Sequence, residues 1–167
     1  MFTKLYNATD KVVMGLVAMG AIIVLIQVVW ISYGVFMRYV IGSPDGTVTE
    51  ATALLLVPVA FAGLAYALRE DAYPKVTMLT DRLARPAFMA VNRLNLIIKI
   101  AIGVFFSIAA VSATFNSYDS GAASEILLWP RFLFWGPVAF SLCIFSLYAF
   151  LRLIRTFCPA HDNPIEE

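Results

Sequence analysis

Four long apolar stretches alternate with short polar segments along this 167-residue chain. The first stretch, Val12–Met37, and the second, Ala51–Leu68, contain no charged residue. At about 1.5 Å per residue in a helix, stretches of this length cross roughly 30 Å of hydrocarbon. The third stretch covers residues 94–118 and the fourth covers residues 132–151. The pattern predicts an all-α membrane protein with four transmembrane helices.

A shorter segment between the second and third stretches has a different pattern. Its apolar residues recur at helical spacing, while its charged residues fall on other faces. The apolar positions are Val76, Leu79 and Leu83, and the basic positions include Arg82 and Arg85. We predict a short amphipathic helix over residues 76–85 that lies at the membrane surface and contacts lipid.

The first two stretches are joined by a polar turn containing the turn formers Pro44–Gly46. Thr49 is expected to N-cap the second helix, with Glu50 near the positive end of the helix dipole. Arg38 closes the first helix. Arg38 and Glu50 are therefore expected near the same membrane face.

Composition supports the membrane class. The chain is 61% hydrophobic and only 14% charged, with a mean hydropathy of +0.83, values that a soluble domain of this length rarely reaches. The net charge is +1 and the cations are scattered at segment ends, which gives no case for nucleic-acid binding. We expect a single membrane domain over residues 1–155, followed by a polar tail over residues 156–167.

The distribution of cations predicts the orientation. Four spans place most Lys and Arg residues on one side and only two on the other. The richer side has Lys4, Lys11, Arg69, Lys75, Arg82, Arg85, Arg93, Arg152 and Arg155, and the poorer side has Arg38 and Arg131. Because cytoplasmic loops carry the excess of positive charge, both termini are expected in the cytoplasm.

Residues suited to catalysis or cofactor binding are scarce. The single histidine, His161, lies in the tail, so the spans offer no axial ligand for haem. No Asp or Glu falls inside a predicted span, although a proton-coupled transporter would need such a group. The two cysteines, Cys143 and Cys158, lack metal-ligand spacing and are expected as reduced thiols. The sequence therefore predicts no metal, no cofactor and no enzyme activity.

Two polar residues inside the spans have structural explanations. Gln27, deep in the first span, is expected to form an interhelical hydrogen bond in preference to contacting a substrate. Lys99 lies near the start of the third span and is expected to extend towards the headgroups. Trp129 and Trp135 flank the start of the fourth span, where interfacial aromatic residues are common.

Several segments together resemble a known family. They are Arg38–Val40, the turn with Pro44, Thr49–Glu50, Leu64–Glu70, Val76–Leu83, Ser117–Ser124, Trp129–Pro130 and Leu151–Arg155. This set is similar to the small membrane subunit, DctQ, of tripartite ATP-independent periplasmic (TRAP) transporters. The family usually has Trp-x-Glu-Glu where this chain has Val48–Ala51, and a histidine near Tyr73.

The resemblance implies a small scaffold subunit in sodium-driven uptake of a small organic acid or similar solute. Its implied partners are a large multi-span subunit of the M type and a periplasmic substrate-binding protein of the P type. Arg38 and Glu50 either anchor helix ends or belong to the rim that meets a partner. The candidate partner-interface residues are Arg38, Glu50, Gln27, Trp129 and Arg131.

Two other functions remain open on the sequence. One is a membrane anchor subunit of an enzyme complex, and the other is a small transporter that acts as a homodimer. Genes for a large multi-span protein and a secreted binding protein beside this one would favour the scaffold subunit, whereas catalytic-subunit genes would favour the anchor.

Overall fold

The computed structural model describes residues 2–43, 45–73 and 85–157. Its helices are α1 (Phe2–Phe36), continued by a π-helical turn (Met37–Ile41), α2 (Gly46–Ala62), α3 (Leu64–Arg69), α4 (Arg85–Asp119) and α5 (Phe132–Phe157). Four helical segments are long and apolar enough to cross a membrane: Lys4–Ile41, Gly46–Arg69, Pro86–Asp119 and Phe132–Phe157. The all-α, four-span prediction is confirmed.

The helices are longer than the apolar stretches predicted. The first begins at Phe2, the third at Arg85 instead of residue 94, and the fourth ends at Phe157 instead of residue 151. Hydropathy marks the part of a helix that lies in hydrocarbon, whereas backbone hydrogen bonding continues into the headgroup region.

The predicted surface helix cannot be compared with the structure over most of its length. Val76, Leu79, Arg82 and Leu83 lie outside the described residues. Arg85 is the first residue of α4, followed by Pro86, whose fixed φ and missing N–H suit the first turn of a helix. The predicted end of the surface helix therefore falls at the first described residue of the third membrane helix.

Asp45, and not Thr49, caps the second membrane helix. The Asp45 side chain accepts a hydrogen bond from the Thr47 backbone N–H at 2.9 Å, and α2 already begins at Gly46. At the other side of the turn, Gly42 has a φ of 74° and its N–H bonds to the Met37 carbonyl. The turn is shorter than predicted because a left-handed glycine and an Asp cap close the two helix ends.

α2 and α3 form one span with a local interruption. α2 continues through the buried Pro58 and ends at Ala62, and its C-cap Gly63 has φ −83° and ψ −10°. α3 starts at the next residue, and the Ala67 N–H bonds to the Gly63 carbonyl at 2.9 Å.

α5 is the central helix of the described structure. It packs against α1, α2, α3 and α4, and it is the most buried of the four spans. Among the described residues, α4 packs substantially only against α5. The core around Tyr148, Ala149 and Leu68 joins α5 to α1, α3 and α4. α4 is therefore held by one neighbour and leaves most of its apolar surface uncovered.

Two glycines allow close helix packing. A Cβ added at Gly34 of α1 would lie 2.6 Å from Val48 Cγ1 of α2, and one at Gly103 of α4 would lie 2.6 Å from Ser146 Oγ of α5. Small residues at helix crossings are typical of membrane proteins, where backbones approach closely to gain van der Waals contact.

Candidate functional site

The connection between α4 and α5, residues 120–131, forms a folded loop at one end of the bundle. Ala123 and Pro130 form an isolated antiparallel bridge, and the Ser124 N–H bonds to the Trp129 carbonyl at 2.9 Å. The Ser124 hydroxyl accepts the Trp129 N–H at 3.0 Å. Leu128 has a φ of 53°, a left-handed conformation that lets the chain reverse. We call residues 120–131 the α4–α5 loop.

The Glu50 carboxylate fastens this loop to the start of α2. Its Oε1 accepts the Glu125 N–H at 2.7 Å, and its Oε2 accepts the Leu127 N–H at 2.7 Å. The Ile126 N–H lies between them, at 3.1 and 3.0 Å from the two oxygens. Three successive amides thus surround one carboxylate, as in the anion-binding nests of irregular backbone. The loop is tied to a helix 75 residues away in sequence.

Arg38 does not pair with Glu50. Within the described parts of the chain, Arg38 has no ion pair within 4 Å. It lines a groove between the end of α1 and the start of α2, together with Asp45. The two residues named as candidates at this hairpin therefore have different surroundings, because Glu50 reaches the α4–α5 loop while Arg38 borders the groove.

Trp129 and Arg131 lie where the α4–α5 loop meets α5. Trp129 stacks on Phe134 with ring centroids 6.1 Å apart and keeps 41% of its surface exposed. Arg131 lines a small pocket with Trp135. Leu128 is 70% exposed, so the loop presents large apolar side chains away from the subunit core.

Gln27 forms the interhelical hydrogen bond predicted for it. Its Nε2 donates to the Thr52 carbonyl of α2 at 3.2 Å, and the residue is only 7% exposed. Its amide contacts α2 within the subunit, so Gln27 stabilises the α1–α2 pair and leaves little surface for another chain.

The opposite end of the bundle contains contacts that the sequence did not suggest. Asp10 of α1 pairs with Arg69 of α3 at 2.7 Å, and Arg152 of α5 pairs with Asp71 at 2.5 Å and also donates to the Leu68 carbonyl. These ion pairs join three helices at their ends. The sequence shows charged residues at the segment boundaries. Which of them form ion pairs follows only from the three-dimensional fold.

Two aromatic contacts belong to the same end. The Tyr6 and Tyr148 hydroxyls lie 2.8 Å apart, and Tyr148 is 2% exposed. The Lys99 ammonium lies 4.5 Å from the centroid of the Tyr73 ring, a distance typical of a cation–π contact. Burial raises the pKa of Tyr73, whose hydroxyl donates to the Leu64 carbonyl at 3.0 Å.

Potential metal ligands and thiols are sparse in the part of the chain that the structure describes. No cluster of three or more His, Cys, Asp or Glu side chains occurs in the parts of the chain that the structure describes. Cys143 is a free thiol on an exposed face of α5. Cys158 and His161 lie outside the described residues.

Comparison with known proteins identifies the family. The model of one family, described as "Tripartite ATP-independent periplasmic transporters, DctQ component", matches residues 27–158. The match begins at Gln27 and includes the Glu50 carboxylate and the whole α4–α5 loop. Comparison with curated proteins and with solved structures gave no match. The chain is a multi-pass membrane protein that belongs to the DctQ family, the small membrane subunits of TRAP transporters.

Proposed function

We propose that this protein is the non-transporting scaffold subunit of a TRAP system that takes up a small organic acid or similar solute with sodium. Family membership supports a transporter component. The observation that carries the scaffold role is that polar side chains within the spans form hydrogen bonds inside the subunit. Coupled transport needs side chains at mid-depth that bind an ion in one state and release it in another.

Three polar side chains within the spans are hydrogen-bonded inside the subunit. The Gln27 amide donates to the Thr52 carbonyl. The Ser107 and Ser146 hydroxyls donate to carbonyls one turn back in their own helices, at 2.7 and 2.8 Å. The Gln27 bond joins α1 to α2, whereas the two serine bonds stay within their own helices. In this proposal the substrate and ion sites therefore belong to another chain.

The apolar exterior supports assembly with a large membrane partner of the M type. In the most hydrophobic part of each helix, only 17% of the α1 residues and 22% of the α4 residues are buried within the subunit. Such surfaces are covered by lipid or by a neighbouring subunit in the bilayer. In this proposal the protein resides in the bacterial inner membrane with both termini in the cytoplasm, and it has no enzyme activity.

The α4–α5 loop is proposed as the surface that meets the periplasmic binding protein of the P type. Leu128, Trp129 and Ile126 expose 70%, 41% and 56% of their surfaces on a loop that is fixed by Glu50. A rigid loop loses little conformational entropy on binding, and aromatic residues are enriched in interface cores. Arg131 beside them would favour an acidic partner surface.

Reconstitution into proteoliposomes tests the scaffold role. Uptake is measured under an imposed sodium gradient for this subunit alone, for the large subunit with its binding protein, and for all three together. We expect uptake only with the complete set. Gradient-dependent uptake by the purified small subunit would contradict the proposal, and so would full activity of the other two components without it.

A further inference from the structure

An open groove of about 540 Å³ lies between the last turns of α1 and the first turns of α2. Apolar side chains form its walls, and two charged residues belong to its lining. The apolar residues include Ile31, Val35, Val48 and Ala53, the charged ones are Arg38 and Asp45, and Tyr39, Thr49 and Thr52 add hydroxyl groups. The groove thus combines an apolar channel with one cation and one anion.

The position of the groove along α1 places it at the depth of lipid headgroups. Lys11 and Arg38 are separated by 27 positions on α1 and its π-helical continuation, or about 40 Å at the helical rise. That length equals the roughly 40 Å thickness of a bilayer with its headgroups. Ile31 lies about 10 Å deeper than Arg38 along the same helix, at the level of acyl chains.

The two charged residues have the polarity of a zwitterionic headgroup. Arg38 is exposed and has no ion pair with the described residues. The Thr47 hydroxyl and backbone N–H hold the pKa of the Asp45 carboxyl below its ordinary value, so this group is an anion at neutral pH. Guanidinium binds phosphate oxygens well, and a carboxylate accepts hydrogen bonds from a primary ammonium.

The base of the groove is closed by the contact between its two helices, which leaves an open trough in which a single acyl chain can lie along the apolar wall. Gly34 and Val48 also line the groove and form the close contact between α1 and α2, so the two helices are already packed together at its base.

We propose that this groove binds one phosphatidylethanolamine molecule from the leaflet on the Arg38 side. The phosphate lies at Arg38, the ammonium lies at Asp45, and one acyl chain follows the apolar wall towards Ile31. The site is independent of the scaffold proposal, since it requires only that the protein spans a bilayer.

Native mass spectrometry of the full-length protein tests this site. Detergent-solubilised protein is incubated with equal amounts of phosphatidylethanolamine, phosphatidylcholine and phosphatidylglycerol. We expect the phosphatidylethanolamine adduct to exceed the other two by about two- to five-fold, the ratio for a partly screened ion pair. Arg38→Gln should reduce every phospholipid adduct. Asp45→Asn should equalise the ethanolamine and choline lipids, and Asn keeps the N-cap.

Arg131→Gln is the matched control, because it removes one cation outside the groove. A phosphatidylethanolamine with a photoreactive acyl chain should cross-link to segments 31–38 and 48–53 in the wild-type protein. Equal adducts of the three lipids, a phosphatidylglycerol preference, or equal losses in Arg38→Gln and Arg131→Gln would each overturn the proposal. Cross-links confined to other segments, or to a co-purifying protein, would overturn it as well.

Discussion

Glu50 shows how one side chain satisfies a loop backbone that has no regular partner. The sharp turn of residues 125–127 points three N–H groups in one direction, and the carboxylate accepts all of them. Backbone donors that are left without partners are costly. A glutamate has the length and the two acceptor oxygens that this arrangement requires, so its role here is to position the loop.

Glu50→Gln should loosen the α4–α5 loop while leaving the helices folded. The amide has one acceptor oxygen and no charge, so it cannot serve all three donors. Hydrogen exchange at the amides of Ile126 and Leu127 is expected to become about ten-fold faster. Glu125→Gln is the control, since Glu125 donates its backbone N–H to Glu50 but its carboxylate has no hydrogen bond within the described structure. Equal rates of amide hydrogen exchange in the two variants would contradict the proposed role of Glu50 in positioning the loop.

Two glycines of α1 allow a close approach of α2. Along the antiparallel α1–α2 pair, Gly34 faces Val48, and Gly20 approaches Ala62 with 3.3 Å between its added Cβ and the alanine Cβ. Both contacts fall in one register, with Gln27 bonded to α2 between them. Close backbone approach and one central hydrogen bond together fix how the two helices align.

Gly34→Ala should destabilise the α1–α2 pair by about 1–3 kcal/mol, the usual cost of overpacking. Val48 cannot easily move aside, because β-branched side chains have one preferred rotamer in a helix. Adding Val48→Ala to this variant should restore most of the loss. Gly15→Ala serves as the control, since no heavy atom lies within 4 Å of its added Cβ. The free energies of unfolding of these variants are measured in detergent. A Gly34→Ala variant as stable as the wild-type protein would contradict the close contact between Gly34 and Val48.

Gly103→Ala tests the packing of α4 against α5. Its Cβ would meet Ser146 Oγ at 2.6 Å and the ring of Phe145 at 2.9 Å, and Phe145 is only 6% exposed. Because α4 has no other substantial neighbour among the described residues, we expect faster hydrogen exchange along α4 and little change in α1. Gly136→Ala on α5, with nothing within 4 Å, should leave both helices unchanged. Equal loosening of α1 and α4 would argue against α4 depending on α5 alone.

At the scale of the whole molecule, orientation remains a prediction from the distribution of cations. Ser43→Cys and Ser120→Cys, in a background with Cys143→Ser, should react with an impermeant thiol reagent in intact cells. The native Cys158 serves as the internal control and should react only after permeabilisation. Reaction of Cys158 in intact cells, or protection of the two introduced cysteines, would reverse the topology.

The sequence by itself determined the number of spans, their order and their class. Hydropathy over 18 or more residues depends only on local composition, so the four helices and the engaged amide of Gln27 could be predicted. Even so, the helix ends differ from those that the sequence predicts, and Asp45 caps α2 instead of the predicted Thr49. Several polar residues in the turn could cap the helix, and the backbone geometry of the turn determines which one does. Hydropathy contains no information on that geometry.

Only the tertiary structure decided which elements and side chains meet. Nothing near Glu50 in the sequence indicates amides 75 residues later, and nothing in α5 marks it as the helix that contacts all the others. Arg38 and Asp45 line one groove because Gly34 lets α2 approach α1. These contacts depend on packing between distant segments, where side-chain shape and hydrogen-bond geometry act together. Hydrophobic periodicity indicates only which face of each segment is apolar.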